Sequence, residues 1–159
     1  MKLIKNEIEK ISLSYFDSII DDYDYLKNTG EHYRLLTYIS KQFDNEVIID
    51  AGTCQGHSCL AFAQNSNNKV YTYDIEPKDI THITDNYSNV IKNILDINLV
   101  DDSLLSSAKI ILLDIDPHNG NIEIDFYDKL ISVNFTGFLI CDDIYLNDDI
   151  KIFLNYLYK

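Results

Sequence analysis

Four apolar runs constrain this chain most: EVIID (46–50), NKVYTYD (68–74), AKIILLD (108–114) and GFLICDD (137–143). Each is rich in β-branched or aromatic residues, and each ends in aspartate. Near-continuous apolar character marks a strand buried on both faces, which is how parallel sheets bury theirs. A weaker run, SNVIKNILDI (88–97), reads as a fifth strand. Helical segments alternate with the strands: SCLAFAQNS (58–66), DFYDKLISV (125–133) and NDDIKIFLNYLYK (147–159), the last capped by Asn147 or Asp148.

This alternation, with the right-handed crossover rule, predicts an α/β fold: a doubly wound, mostly parallel, Rossmann-like sheet of about five strands. Upstream, Ile8, Ile11, Phe16, Ile19 and Ile20 recur at helical spacing, as do Tyr33, Leu36 and Ile39. KNTGEH (27–32) interrupts them, with Gly30 as a helix stop. The expected layout is one domain over 1–159, with N-terminal helices in 1–45 and the core in 46–159.

Charge narrows the partners. The chain carries 26 acidic and 13 basic residues, a net charge of −13, and its cations are scattered. Nucleic acid and anionic membranes need a basic surface, so neither is an expected partner. A divalent cation or a positively charged small molecule suits this balance. Cys54, Cys59 and Cys141 lie in or beside apolar stretches and read as buried, reduced thiols. No stretch approaches the roughly 20 apolar residues of a membrane span. MKLIKNEIEKISLSYFDS places glutamates where a secretion signal needs an apolar block, so the expected location is cytoplasmic.

In a doubly wound sheet, ligands bind outside the carboxyl ends of the strands. Acids gather there: Asp50, Asp74 with Glu76, Asp96, Asp114 with Asp116, and Asp142 with Asp143. The stretch ILLDIDPHNG (111–120) poses the question most sharply, because a strand built to be dry ends by presenting Asp114, Asp116 and His118. Carboxylates so close repel one another, and Lys109 and Lys129 stand too far along the chain to neutralise them. A bound cation accounts for the cluster. His118 is a candidate base or ligand, or a loop cap following Pro117.

The turn DAGTCQGHS (50–58) is not a P-loop, since its glycines are one residue too close and His57 stands where lysine is needed. It also lacks the third glycine of a dinucleotide fingerprint. What remains is D-x-G-x-x-x-G-x-S. Gly52 and Gly56 let backbone approach a ligand without bulky phosphates, while Asp50 offers a carboxylate to a cationic head. The ammonium and sulfonium of S-adenosylmethionine (SAM) form such a head. A tight strand-to-helix turn with no ligand uses the same small residues.

In order and spacing, these stretches resemble the class I SAM-dependent methyltransferases over roughly residues 28–146. DAGTCQGHS is similar to their first motif, which implies cofactor contacts at Asp50, Gly52, Thr53, Gly56 and Ser58. YTYDIEP resembles the second-strand motif, with Asp74 on the ribose hydroxyls, and NILDI places Asp96 at the adenine edge. LLDIDPHNG followed by GFLICDDI is similar to the metal-dependent O-methyltransferases of the catechol, caffeoyl-CoA and macrocin types. That likeness implies Mg²⁺, or another hard divalent cation, held by Asp114, Asp142 and Asp143, with Asp114 also beside the cofactor. It makes Asp116 the candidate base, with His118 as a second catalytic candidate.

GEHYRLL (30–36) resembles the helix leading into the macrocin-like fold, so His32, Tyr33 and Arg34 are candidates to close over the methionine end. His57 reads as a side chain covering the ligand turn. The implied activity is Mg²⁺-assisted O-methylation of a small hydroxylated substrate. A regulatory SAM-holding module with a reduced fold is the alternative, and an α/β protein for another nucleoside is a third. The family's C-terminal antiparallel hairpin has no counterpart after residue 146. GFLICDD is then an apolar edge strand, to be covered by a homodimer or by the last helix; light scattering separates the two.

Overall fold

The computed structural model describes residues 1–17 and 31–158. The expected helix stop at Gly30, and Ile19 and Ile20, lie outside the described residues. Strands β1 (Val47–Ala51), β2 (Lys69–Asp74), β3 (Val90–Ile94), β4 (Ala108–Leu113) and β5 (Phe138–Cys141) form one sheet in the order β3-β2-β1-β4-β5. Every pairing is parallel. The order runs outward from β1 in one direction and from β4 in the other, so a crevice opens between their carboxyl ends.

Strand side chains alternate between two cores. Ile48, Ile110 and Leu112 pack with Leu36, Leu60 and Ile83 of helices on one face. Ile49, Ile111 and Leu113 pack with Leu105, Phe126 and Phe153 on the other. Helix α1 (Lys5–Ile8) is followed on the first face by α2 (Glu31–Ser40), α3 (His57–Ala63) and α4 (Thr81–Thr84). The second face carries α5 (Asp102–Ser107), α6 (Asn121–Ser132) and α7 (Ile150–Leu157). A central strand such as β4, buried at five of its six positions, therefore needs apolar residues at successive positions.

The N-terminal segment departs from its helical period. Helix α1 has four residues, and Ser12 Oγ then accepts the Ser14 N–H at 3.1 Å. Such a local serine bond competes with helix continuation. A 3₁₀ turn at Ser14–Phe16 instead drives Phe16 fully into the first core, its ring 5.4 Å from that of Tyr33. At the other end, the N-cap of α7 is Asp149 rather than the expected Asn147 or Asp148, though Asn147 Oδ1 accepts the Ile150 N–H at 2.9 Å. Asn147 Nδ2 donates to the His118 carbonyl at 3.1 Å, tying the start of α7 to the loop after β4.

Helix α7 packs on α6, while β5 pairs with β4 alone among the described residues. No helix of the described residues is long and apolar enough to cross a membrane.

Candidate functional site

The ladder hydrogen bonds run one step past the strand ends and carry the acids with them. Gly52 and Thr53 both donate their N–H groups to the Tyr73 carbonyl, at 2.9 and 3.1 Å. Asp114 donates its N–H to the Ala51 carbonyl at 2.9 Å, and Asp142 to that of Leu113 at 3.1 Å. Gly52 sits at φ 108, and a Cβ built there would fall 1.7 Å from the Asp114 carbonyl oxygen. Only glycine lets β1 and β4 approach this closely where the sheet order reverses.

Beside this turn lies a cleft of about 260 Å³ over the ends of β1, β2, β3 and β4. Asp74, Glu76, Asp96, Asp114 and Asp116 supply its acidic lining, and Ile75, Leu95, Ile97 and Ile115 its apolar walls. Ile75 is 71 % exposed, so an apolar surface stands open beside carboxylates, which suits a flat ring carrying polar edges. Asp74 accepts the Cys54 N–H at 3.1 Å and the Glu76 N–H at 3.0 Å, clamping the glycine turn to the end of β2. Asp96 accepts the Asn98 N–H at 2.8 Å and so caps the following 3₁₀ turn. Cys54 is exposed on the turn at φ 43 and Cys141 is half-buried, so of the three thiols expected to be buried only Cys59 is. Cys54 and the apolar walls are lining residues that motif spacing did not single out, because isolated Ile and Leu beside acids look like ordinary strand ends.

Asp50, Thr53 and Ser58 lie beneath the turn. All three are buried, Asp50 completely. Thr72 Oγ1 donates to Asp50 Oδ2 at 2.7 Å, and the Thr53 and Thr72 hydroxyls are 2.7 Å apart. The other Asp50 oxygen has no partner among the described residues. Burial pushes the Asp50 carboxyl up to about 7, against the pull of the Thr72 and Ser58 hydroxyls. The folded state therefore holds a proton that the unfolded chain releases near pH 4, and stability falls as pH rises between those values. Asp50→Asn should gain on the wild type by roughly 4 kcal/mol between pH 4 and 7, with no further change above it. Urea melts across that range measure the difference; a flat difference would mean that Asp50 is charged in the fold.

The second acidic group lies across β4 and β5. His118, only 8 % exposed, points Nε2 at three carboxylates: Asp114 at 3.8 Å, Asp116 at 3.7 Å and Asp143 at 3.8 Å. Ligand-type atoms of Asp114, His118 and Asp143 all lie within 4.8 Å of one another. His118 and Asp143 both sit in the left-handed region, at φ 51 each, which non-glycine residues adopt at a cost of about 1–2 kcal/mol. Asp142 turns differently. Its Oδ1 accepts the Asp143 N–H at 2.9 Å, and its Oδ2 lies 4.0 Å from His32 Nε2 at the start of α2.

Burial, then Asp142 and Asp143, push the Asp114 carboxyl up to about 6, with His118 pulling it back. No lysine or arginine pairs with Asp114, Asp142 or Asp143 among the described residues. Lys129 is held by the Asn98 and Val100 carbonyls at 2.6 and 2.7 Å, and Lys109 lies over the Phe43 ring at 5.1 Å. Tyr33 overhangs the acids: burial, Asp114 and Asp142 all raise its hydroxyl's pKa. His57 is boxed by the rings of Phe16 and Tyr33, at 5.9 and 5.8 Å. Arg34 faces away, its guanidinium donating to the Ile11 carbonyl.

No protein-family model matches this sequence, and no curated protein sequence matches it. Solved structures do. A SAM-dependent O-methyltransferase from Thermotoga maritima, TM0748, aligns over 89 % of this chain and 55 % of its own, with TM-score 0.60 and 20 % identity. The S-adenosylhomocysteine-bound Podospora anserina methyltransferase PaMTH1 aligns over 99 % of this chain and 88 % of its own, with TM-score 0.62 and 12 % identity.

The fold is that of the class I methyltransferases. Thermoplasma acidophilum 1320 shares it, with TM-score 0.56 and 18 % identity over 98 % of this chain and 76 % of its own. The chain spans about half the length of the Thermotoga protein. Within this methyltransferase fold, the Gly52 turn and the cleft occupy the switch point where doubly wound sheets bind their ligands.

Proposed function

We propose that the chain is a SAM-dependent methyltransferase that methylates a hydroxyl of a small molecule with the help of a divalent cation. One observation carries this reading: a glycine turn and half-apolar cleft adjoin an acidic pocket that no lysine or arginine among the described residues neutralises, across a single strand end at Asp114. The first feature fits an adenosyl group with a cationic tail, and the second fits a cation.

The donor would lie with its adenine against Ile75, Leu95 and Ile97, its ribose toward Asp74 and Glu76, and its sulfonium end toward Gly52 and Asp114. The carboxylates of Asp114 and Asp143 fit a divalent cation, because hard oxygen donors in mutual repulsion gain most from one. When bound, SAM supplies an electrophilic methyl group and the cation supplies Lewis acidity that lowers the acceptor hydroxyl's pKa. Held so, the donor would give its methyl to the acceptor oxygen and keep the S–CH₃ electron pair, leaving as a neutral thioether. The hydroxyl proton passes to Asp116, whose side chain is 98 % exposed on the cleft rim and free to reach the acceptor.

Calorimetry with SAM, with and without Mg²⁺, followed by assay on a panel of sugars and phenols, tests the reading. SAM binding with metal-dependent transfer is the expected result. SAM binding with neither metal dependence nor turnover would make the chain a SAM-holding module. A folded preparation that ignores SAM would overturn the proposal.

A further inference from the structure

Glu123 is the one acid of this region that motif reasoning passed over. It lies in the first turn of α6, 3 % exposed, and neither carboxylate oxygen has a hydrogen-bond partner among the described residues. A buried carboxylate without a donor is costly, and a fold of this size gains nothing in stability from keeping one. The start of α6 favours the negative charge through its helix dipole but leaves both oxygens unsatisfied. The nearest ring nitrogen is His118 Nδ1, 3.9 Å from Glu123 Oε1. Glu123 therefore stands directly behind the imidazole whose Nε2 faces Asp114, Asp116 and Asp143.

Those positions constrain the ring. A neutral imidazole carries one proton. With the proton on Nε2, Glu123 is stranded. With the proton on Nδ1, the N–H faces Glu123 Oε1 across 3.9 Å as its nearest charge partner, and the Nε2 lone pair joins the carboxylate oxygens in pointing at one spot. Lone pairs and anions converge stably only on a positive charge. The backbone supports this aim: Asn147 Nδ2 holds the His118 carbonyl at 3.1 Å, and the residue is kept at φ 51.

We infer that Glu123 is a positioning residue that turns His118 into a nitrogen ligand of the cation site, beside Asp114 and Asp143, and so fits the site to Mn²⁺ or a similar nitrogen-accepting first-row ion rather than to Mg²⁺. The inference rests on the proposed cation site and deepens it. Carboxylates alone suit Mg²⁺, whereas an imidazole ligand moves preference toward transition ions. A carboxylate behind a ligating histidine fixes its tautomer, and losing it typically weakens metal affinity about 10- to 100-fold.

The test compares the wild type, His118→Asn, Glu123→Leu and Glu123→Gln by calorimetry with Mn²⁺ and with Mg²⁺. Asparagine tolerates the left-handed backbone at 118. Leucine fills the buried volume without an acceptor, and glutamine keeps one oxygen. The wild type should bind Mn²⁺ at least about tenfold more tightly than Mg²⁺, and His118→Asn should erase that preference. Glu123→Leu should lose about 10- to 100-fold in Mn²⁺ affinity, with Glu123→Gln between it and the wild type.

Nitrogen-15 spectra of the metal-free wild type should show the proton on His118 Nδ1, and added Zn²⁺ should shift Nε2. A purely structural role would change the melting temperatures of the Glu123 variants and leave ion preference and tautomer alone. Unchanged Mn²⁺ affinity in a folded Glu123→Leu, or a doubly protonated ring that persists with Zn²⁺, would overturn the inference and leave the cation site standing. Failure of the wild type to bind either ion would overturn the cation site itself, a result seen before any variant is made.

Discussion

Asp143→Asn should abolish divalent-cation binding and slow methyl transfer by at least about 100-fold, while SAM affinity stays within a few-fold. The position separates the two halves of the site. Asp143 lies at the end of β5, outside the lining of the donor cleft, with its carboxylate 3.8 Å from His118 Nε2. Asparagine accepts the φ of 51 with little penalty, so the fold should survive and the loss can be read as one of charge. Asp142→Asn serves as the internal comparison. Its oxygens are turned toward the Asp143 amide and His32, and its loss should cost less. Equal losses at both positions would mean that the family-like trio of Asp114, Asp142 and Asp143 is the true ligand set. Paired titrations with Mn²⁺ and with SAM read both effects.

Gly52→Ala should be the most damaging single methyl group in the molecule. Its Cβ would overlap the Asp114 carbonyl, and at φ 108 an L-residue is strained even in open space. Neither neighbour can yield, because the Asp114 N–H is bonded to the Ala51 carbonyl and the Gly52 N–H to that of Tyr73. Overpacking and backbone strain together cost roughly 3 kcal/mol or more. For a chain of this length that lowers the melting temperature by about 10 °C. SAM affinity should fall as well, since the turn cannot shift without splaying the end of β4. A thermal melt that moves by less than a degree or two would show that β1 and β4 are farther apart than the structure has them.

How far the sequence could be read varies with the kind of interaction. The strands were legible because parallel pairing with two covered faces demands unbroken apolar runs, and β1, β2, β4 and β5 carry them. Even β3, with Lys92 and Asn93 inside it, was read as a strand, though a weaker one, from the run SNVIKNILDI. Up to Phe16 the helical reading was overextended, because Ile8 and Ile11 keep helical spacing while Ser12 accepts the Ser14 N–H and diverts the backbone; the expected helix around Tyr33, Leu36 and Ile39 is present. In the candidate site, the acids at the strand ends were visible as a set. Their grouping was not, because neighbouring residues at a strand end can face opposite ways, as Asp142 and Asp143 do.

Glu123 shows the same limit from the other side. Within NIEIDFYDKLIS it reads as one helix-surface acid among several, and only the packing of α6 against the sheet buries it behind His118. Asp50 was legible as an acid at the first turn, but its complete burial under that turn came from the packing, and it is burial that raises its pKa against the pull of the Thr72 and Ser58 hydroxyls.

The amino-acid order alone determined the sheet, its alternation with helices, the acidic carboxyl edge and the glycine turn, because periodicity and backbone sterics act over a few residues. Tertiary structure alone decided which acids meet, which one is left without a partner, and which ring nitrogen faces them. Those outcomes depend on the angles at which separate elements dock, and no local pattern records such angles.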